Sequence, residues 1–352
     1  MEGIQLNIKK PYVFTLTVMM LLVFTFFSVA QSKVSINVTK DQYVLPVAEL
    51  ASTKTNPEII HMSNGLVAID VIPNRGRVLS NFTLPENQKS FLYQKFVPDP
   101  MVLPGGLHTV EFGGYYLSLP WNNRDRQPFD LDFKIQNSTD TLGEIFLSGK
   151  DMFQKTLTEI WVRMKEANPV VEIEIKITNT SKKSPKKLDF RDYSVFSMDE
   201  SGESNHQILL PVEKIKLIES RNDWAGTKES LMDWPVYFSR WEMMNDYIVF
   251  QSASPLTANL CGIYYPELKS AMVKSWSPKE FFSGAEIWSW GKNYSNEPGA
   301  APYVVYSNNS QFTLPPQESK SFTVYFTVIK NLSEQDITPE VIQQKIVQLL
   351  PK

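Results

Sequence analysis

Val171-Glu172-Ile173-Glu174-Ile175-Lys176-Ile177 puts four β-branched apolar residues on one face and three charges on the other. Only a half-buried strand satisfies that period of two. The same alternation recurs upstream in Leu66–Ile72 and Lys155–Arg163, and downstream in Ser321–Val328, where Phe322, Val324, Phe326 and Val328 share a face. Turn chemistry separates the runs, as in Pro73-Asn-Arg-Gly76, Pro104-Gly-Gly106 and Asn296-Glu-Pro-Gly299. No strand–helix–strand rhythm is present, so the expectation is an all-β chain with antiparallel sheets. One helix is predicted near the end: Thr338 can cap it, Pro339 suits its first turn, and Val341, Ile342, Ile346, Leu349 and Leu350 have helical spacing. The Lys182–Lys187 cluster reads as a solvated hairpin loop after the Val171–Ile177 strand.

Composition narrows the function classes. The 352 residues are 42% hydrophobic and 21% charged, which is globular usage. Thirty-five Lys and Arg against 38 Asp and Glu leave no basic footprint for phosphates, so nucleic acid is not an expected partner. Eight Trp and 23 Pro favour strands joined by punctuated loops. The single cysteine, Cys261, sits in an apolar context and reads as a small buried hydrophobe. Lys9-Lys10, an apolar run from Pro11 to Phe27 and the small residues Ser28-Val29-Ala30 have the form of a secretory signal cleaved after Ala30. The run is also close to the length of a membrane anchor, which is the competing reading. The expected organisation is a signal over residues 1–30, a lead-in segment over 31–60 and one domain over 61–352, exported to the periplasm or secreted, with membrane contact only if the leader is retained. Seven Asn-x-Ser/Thr triplets, at Asn37, Asn81, Asn137, Asn179, Asn293, Asn308 and Asn331, carry no functional weight by themselves.

The three histidines, His61, His108 and His206, are far apart and none stands in a metal-ligating motif, so no metal site is signalled. A nucleophile elbow, a P-loop and a dinucleotide fingerprint are likewise missing, and no cofactor is implied. Aromatic residues do stand beside charged and amide groups: Phe112, Tyr115, Tyr116 and Trp121 with Asn122, Asn123, Arg124 and Arg126; Trp234, Tyr237 and Trp241 with Arg240; and Trp276, Trp288 and Trp290. Sugars need aromatic platforms for their C–H faces and polar groups for their hydroxyl rims, so carbohydrate is the ligand class this mixture suits. The competing reading is that these rings are core or cross-strand pairs.

Three stretches carry a family resemblance. Asn64 through Arg77, ending in a Gly76-Arg77 turn, resembles the opening of galactose mutarotase-like (aldose 1-epimerase-like) proteins; Pro104–Phe112 with Leu119-Pro-Trp121 resembles their glycine-pair segment; and Trp234-Pro235 through Glu286-Ile-Trp-Ser-Trp-Gly291 is similar to a little-characterised branch. The resemblance implies one large antiparallel β-supersandwich with a sugar groove on its concave face. In mutarotases of this kind a Glu removes the anomeric proton while a His protonates the ring oxygen. Here the pattern departs: Val304 or Val305 occupies the acid's place, and Asp189-Phe-Arg-Asp-Tyr193 holds no histidine. The resemblance implies Arg77, Glu111, Trp121, Arg124, Asp192, Trp234 and Trp288 as sugar-binding residues. His108, His206 and Glu286 are the candidates for any relocated acid–base pair. The leading expectation is an exported carbohydrate-binding protein. A sugar epimerase using that relocated pair and a structural interaction module are the alternatives.

Overall fold

The computed structural model describes residues 33–40, 58–73, 76–87, 89–93, 101–103, 107–109, 113–118, 131–151, 155–198, 206–220, 226–235, 247–290 and 303–350. Two antiparallel sheets face one another. The larger has eleven strands, in spatial order Ser35–Lys40, Glu58–Ser63, Ala68–Ile72, Arg77–Thr83, Gly114–Ser118, Lys186–Ser197, Tyr303–Leu314, Gly284–Trp290, Ile248–Ser252, Lys214–Ser220 and Leu231–Asp233. The smaller has eight: Gln207–Leu209, Leu260–Tyr265, Ser270–Ser277, Ser319–Ile329, Val171–Asn179, Thr156–Lys165, Leu142–Asp151 and Asp132–Ser138. A separate two-stranded ribbon joins Met101–Leu103 to Leu107–Thr109.

The alternating runs read from sequence are strands, and their apolar sides meet between the sheets. Ile173, Ile175 and Ile177 are fully buried there with Ile160 and Val162 from the neighbouring strand. From the opposite sheet come Phe190, Phe196, Ile287 and Tyr306. This core draws its buried residues from along the chain between Ile60 and Val328. Burying such side chains at ~1.5–3 kcal/mol each is the main force holding the layers face to face.

The lead-in segment takes part in the fold. Ser35–Lys40 pairs along its full length with Glu58–Ser63 and forms an edge of the larger sheet, so this part of 31–60 is sheet and does not merely precede it. Residues 1–30, with the expected leader, lie outside the described residues. Among the described residues no helix is long and apolar enough to cross a membrane.

The lysine cluster requires a second correction. Val171–Asn179 belongs to the smaller sheet and Lys186–Ser197 to the larger, so residues 180–185 cross between layers instead of closing a hairpin. Asn179 fixes the crossing. Its buried amide donates to the carbonyls of Ser184, Leu314 and Pro315, pinning this crossover and the one that follows Leu314. Asn179 and Asn308 are both fully buried, so these two glycosylation triplets are closed to a glycan in the folded chain.

The predicted helix spans Pro339–Leu349, with the Val341 amide donating to the Thr338 side chain. Ile342 and Ile346 seat it against Leu260, Tyr264, Ala271 and Val273, covering part of the smaller sheet's outer side. Cys261 is buried as expected, and burial pushes its thiol up to about 12.

Candidate functional site

Strand parity divides the larger sheet into two chemically different faces. Along Lys186–Ser197, Leu188, Phe190 and Phe196 point into the sandwich, so Arg191, Tyr193 and Val195 point outward. Cross-strand register then builds two outward rows. One runs Tyr116, Tyr193, Ser307, Glu286, Gln251 and Lys216; the other runs Val195, Val305, Trp288 and Val249.

The aromatic members of these rows stand like plates in a rack. Tyr116 and Tyr193 are stacked with centroids 4.9 Å apart and planes 11° from parallel. Tyr193 and Trp288 follow at 6.1 Å and 16°. At the other end the Arg77 guanidinium carbon lies 4.3 Å above the Tyr116 ring. Beside the rack, Arg191 approaches Glu286 at 3.7 Å and donates to Ser307 Oγ at 3.5 Å. Gly114, at φ 71°, brings the tyrosine-bearing strand hard against its neighbour, since a Cβ there would lie 2.2 Å from the Leu79 carbonyl oxygen.

Of the residues inferred from sequence, Arg77, Glu286 and Trp288 meet on this outer face. Asp192 does not. It shares parity with Phe190 and Phe196, is fully buried, and reaches across the sandwich to Lys274 Nζ at 2.8 Å, with Lys274 equally buried. Burial raises the Asp192 carboxyl above the ordinary range even though the Lys274 charge pulls it down. Trp234 is also drawn inward, stacking on the core residue Phe250 at 5.2 Å. His206, nearly wholly buried, accompanies the smaller sheet: its Nε2 lies 2.9 Å from Glu267 and its ring meets Tyr265 edge-on. It is therefore not beside Glu286. The His108 backbone belongs to the two-stranded ribbon, but its side chain lies outside the described residues, as do Glu111, Trp121 and Arg124. Of the two valines at the expected acid's place, Val305 faces outward between Val195 and Trp288, and Val304 faces the core.

Sequence reading missed Tyr193, Arg191 and Gln251 as site residues. The signal was available in the alternation, because assigning Phe190 and Phe196 to the core places their odd-numbered neighbours outside.

Neither a family model nor a curated protein matches the chain. Solved structures do match it. The fold aligns with a TPR-domain-containing protein from Parabacteroides distasonis at a TM-score of 0.62 and 16% identity, over 86% of this chain and 54% of that one. It aligns with a protein from Synechocystis at 0.56 and 13%, over 79% and 97%. A galactose mutarotase-like protein from Clostridium acetobutylicum aligns at 0.54 and 12%, over 84% and 99%. The chain thus spans about half the length of the first of these and nearly all of the other two. The architecture is that of the galactose mutarotase-like, aldose 1-epimerase-like proteins, an all-β sandwich of two large antiparallel sheets.

Proposed function

We propose that this chain is an exported carbohydrate-binding protein whose sugar site is the outer face of the larger sheet. The observation that carries the reading is the rack of Arg77, Tyr116, Tyr193 and Trp288 beside the Arg191–Glu286 pair. Its outer end, the partly exposed Trp288 indole, supplies apolar ring surface next to hydrogen-bonding groups, the combination that sugar faces and rims require. Two placements support binding over ring opening. Val305, at the centre of the face, has no group to accept a proton, and His206 is engaged with Glu267 at the other sheet. Export rests on the charged, apolar and small-residue pattern of residues 1–30.

A glycan array with the mature protein tests the reading. Specific signals on sugars that disappear in Tyr193→Ala are the expected result, and a blank array for the folded wild type overturns it. Polarimetry of fresh α-glucose and α-galactose is expected to show mutarotation at the buffer rate. Acceleration abolished by Glu286→Gln would replace the binding reading with the epimerase one.

A further inference from the structure

Resting on that sugar-binding reading, we infer that the sugar ring stacks on a single residue, Trp288, against the face turned away from Tyr193. Val249 is the floor of this subsite, and Gln251 and Glu286 are its hydrogen-bonding rim. The argument follows from which ring faces are taken. Sheet order places Arg77 and Tyr193 on opposite sides of Tyr116, and both cover it at stacking distance. Tyr193 lies in turn between Tyr116 and Trp288, nearly parallel to both. Neither tyrosine has a ring face left for a sugar. Trp288 ends the rack: among the described residues Tyr193 is its one ring neighbour, and its indole is only partly buried.

Beyond Trp288 the next strand is Ile248–Ser252, and register places Val249 directly opposite it. Val249 is small and apolar and, at 3% exposure, lies beneath its neighbours, so a sugar would meet it only through the lower edge of the ring. Gln251 and Glu286 are themselves a register pair, one step along the same outward face and both partly exposed. A pyranose standing on its edge over Val249 would press its C–H face on the indole, with its hydroxyls toward the Gln251 amide and the Glu286 carboxylate. A carboxylate and an amide match a vicinal diol. The Arg77–Tyr116–Tyr193 stack then acts as the support that holds Trp288 upright.

The test uses the folded mature chain and the arrayed glycan that binds wild type most strongly, with affinities from saturation-transfer NMR titration. Trp288→Ala is expected to weaken binding about tenfold or more, and Trp288→Phe to restore most of it. Val249→Phe, which fills the floor while keeping Trp288, is expected to weaken binding by a similar factor, and Gln251→Leu by about threefold to tenfold. Trp161→Ala, on the smaller sheet, should leave affinity unchanged. Retention of wild-type affinity in Trp288→Ala, or in a Val249→Phe protein that still melts cooperatively, overturns this subsite while leaving sugar binding intact. If Val249→Phe fails to fold, Gln251→Leu takes its place, and wild-type affinity there overturns the rim. Absence of any glycan signal with wild type removes the sugar reading and the subsite together.

Discussion

The outer faces of the two sheets use the same residue types and arrive at different surfaces. On the smaller sheet, Arg163 sits opposite Glu144 and Glu172 in register, donates to both and to Glu174, and has Lys176 paired with Glu159 nearby at 2.9 Å. The aromatic pair there, Phe146 and Trp161, is tilted by 51° and, among the described residues, is not part of a longer stack. On the larger sheet one arginine lies over a ring, three rings run nearly parallel, and Glu286 faces the second arginine. The first surface neutralises itself and remains solvated. The second is largely sequestered, with one end of its ring stack turned outward. Aromatic and ionic composition therefore does not distinguish the two faces; ring orientation and charge pairing do.

The sharpest break in this comparison concerns what holds each face in place. The strand bearing Arg191 and Tyr193 is anchored from behind by the Asp192–Lys274 pair, both partners fully buried. Removing one partner leaves an uncompensated interior charge. Lys274→Met should therefore cost about 3–5 kcal/mol in chemical denaturation, whereas joint replacement with Asp192→Leu should recover much of that loss. Arg163→Met breaks three ion pairs on the partly exposed face and should cost only about 1 kcal/mol. Equal losses for the two single variants would erase the distinction.

Removal of a ring gives the next largest effect. Tyr193 is buried between its neighbours, so Tyr193→Ala should destabilise the fold by about 3 kcal/mol and abolish sugar binding. Trp161→Ala should cost less than about 1 kcal/mol, because its ring is partly exposed and meets one partner. Thermal melts of the two variants provide the check.

The interior thiol has no effect at neutral pH and acts only in alkali. Cys261 ionises near 9.0 when exposed, and burial pushes it up to about 12 in the fold. Above the unfolded value the unfolded chain releases a proton that the folded chain retains. Stability present below pH 9 is therefore lost as pH rises toward about 12. Cys261→Ala should flatten this alkaline decline in denaturation curves, and an unchanged slope would place the thiol in contact with water.

Much of the fold was legible because its strands obey strict alternation. The Val171–Ile177 pattern names its own buried side, and the helix at Pro339–Leu349 carries its spacing in eleven consecutive residues with its cap, Thr338, just ahead of them. The crossover at residues 180–185 was not legible, since a loop between layers and a hairpin use the same polar residues. The site was harder still. Tyr116, Tyr193 and Trp288 come from three strands remote in sequence, and only the sheet order makes them neighbours. Asp192 misled because an acid next to Arg191 and Tyr193 suggests a groove, while its parity with Phe190 and Phe196 had already assigned it to the interior. Trp234 followed the commoner fate of a tryptophan in a β protein, packing on Phe250.

The central claim is that the larger sheet's outer face, and not the smaller's, receives a sugar. Indole N–H resonances offer the most direct reading, because the chain has eight tryptophans and each variant assigns its own peak. On titration with the array-selected glycan, the Trp288 resonance is predicted to shift in a saturable manner while the Trp161 resonance stays in place. A saturable shift at Trp161 with Trp288 unmoved would contradict the account.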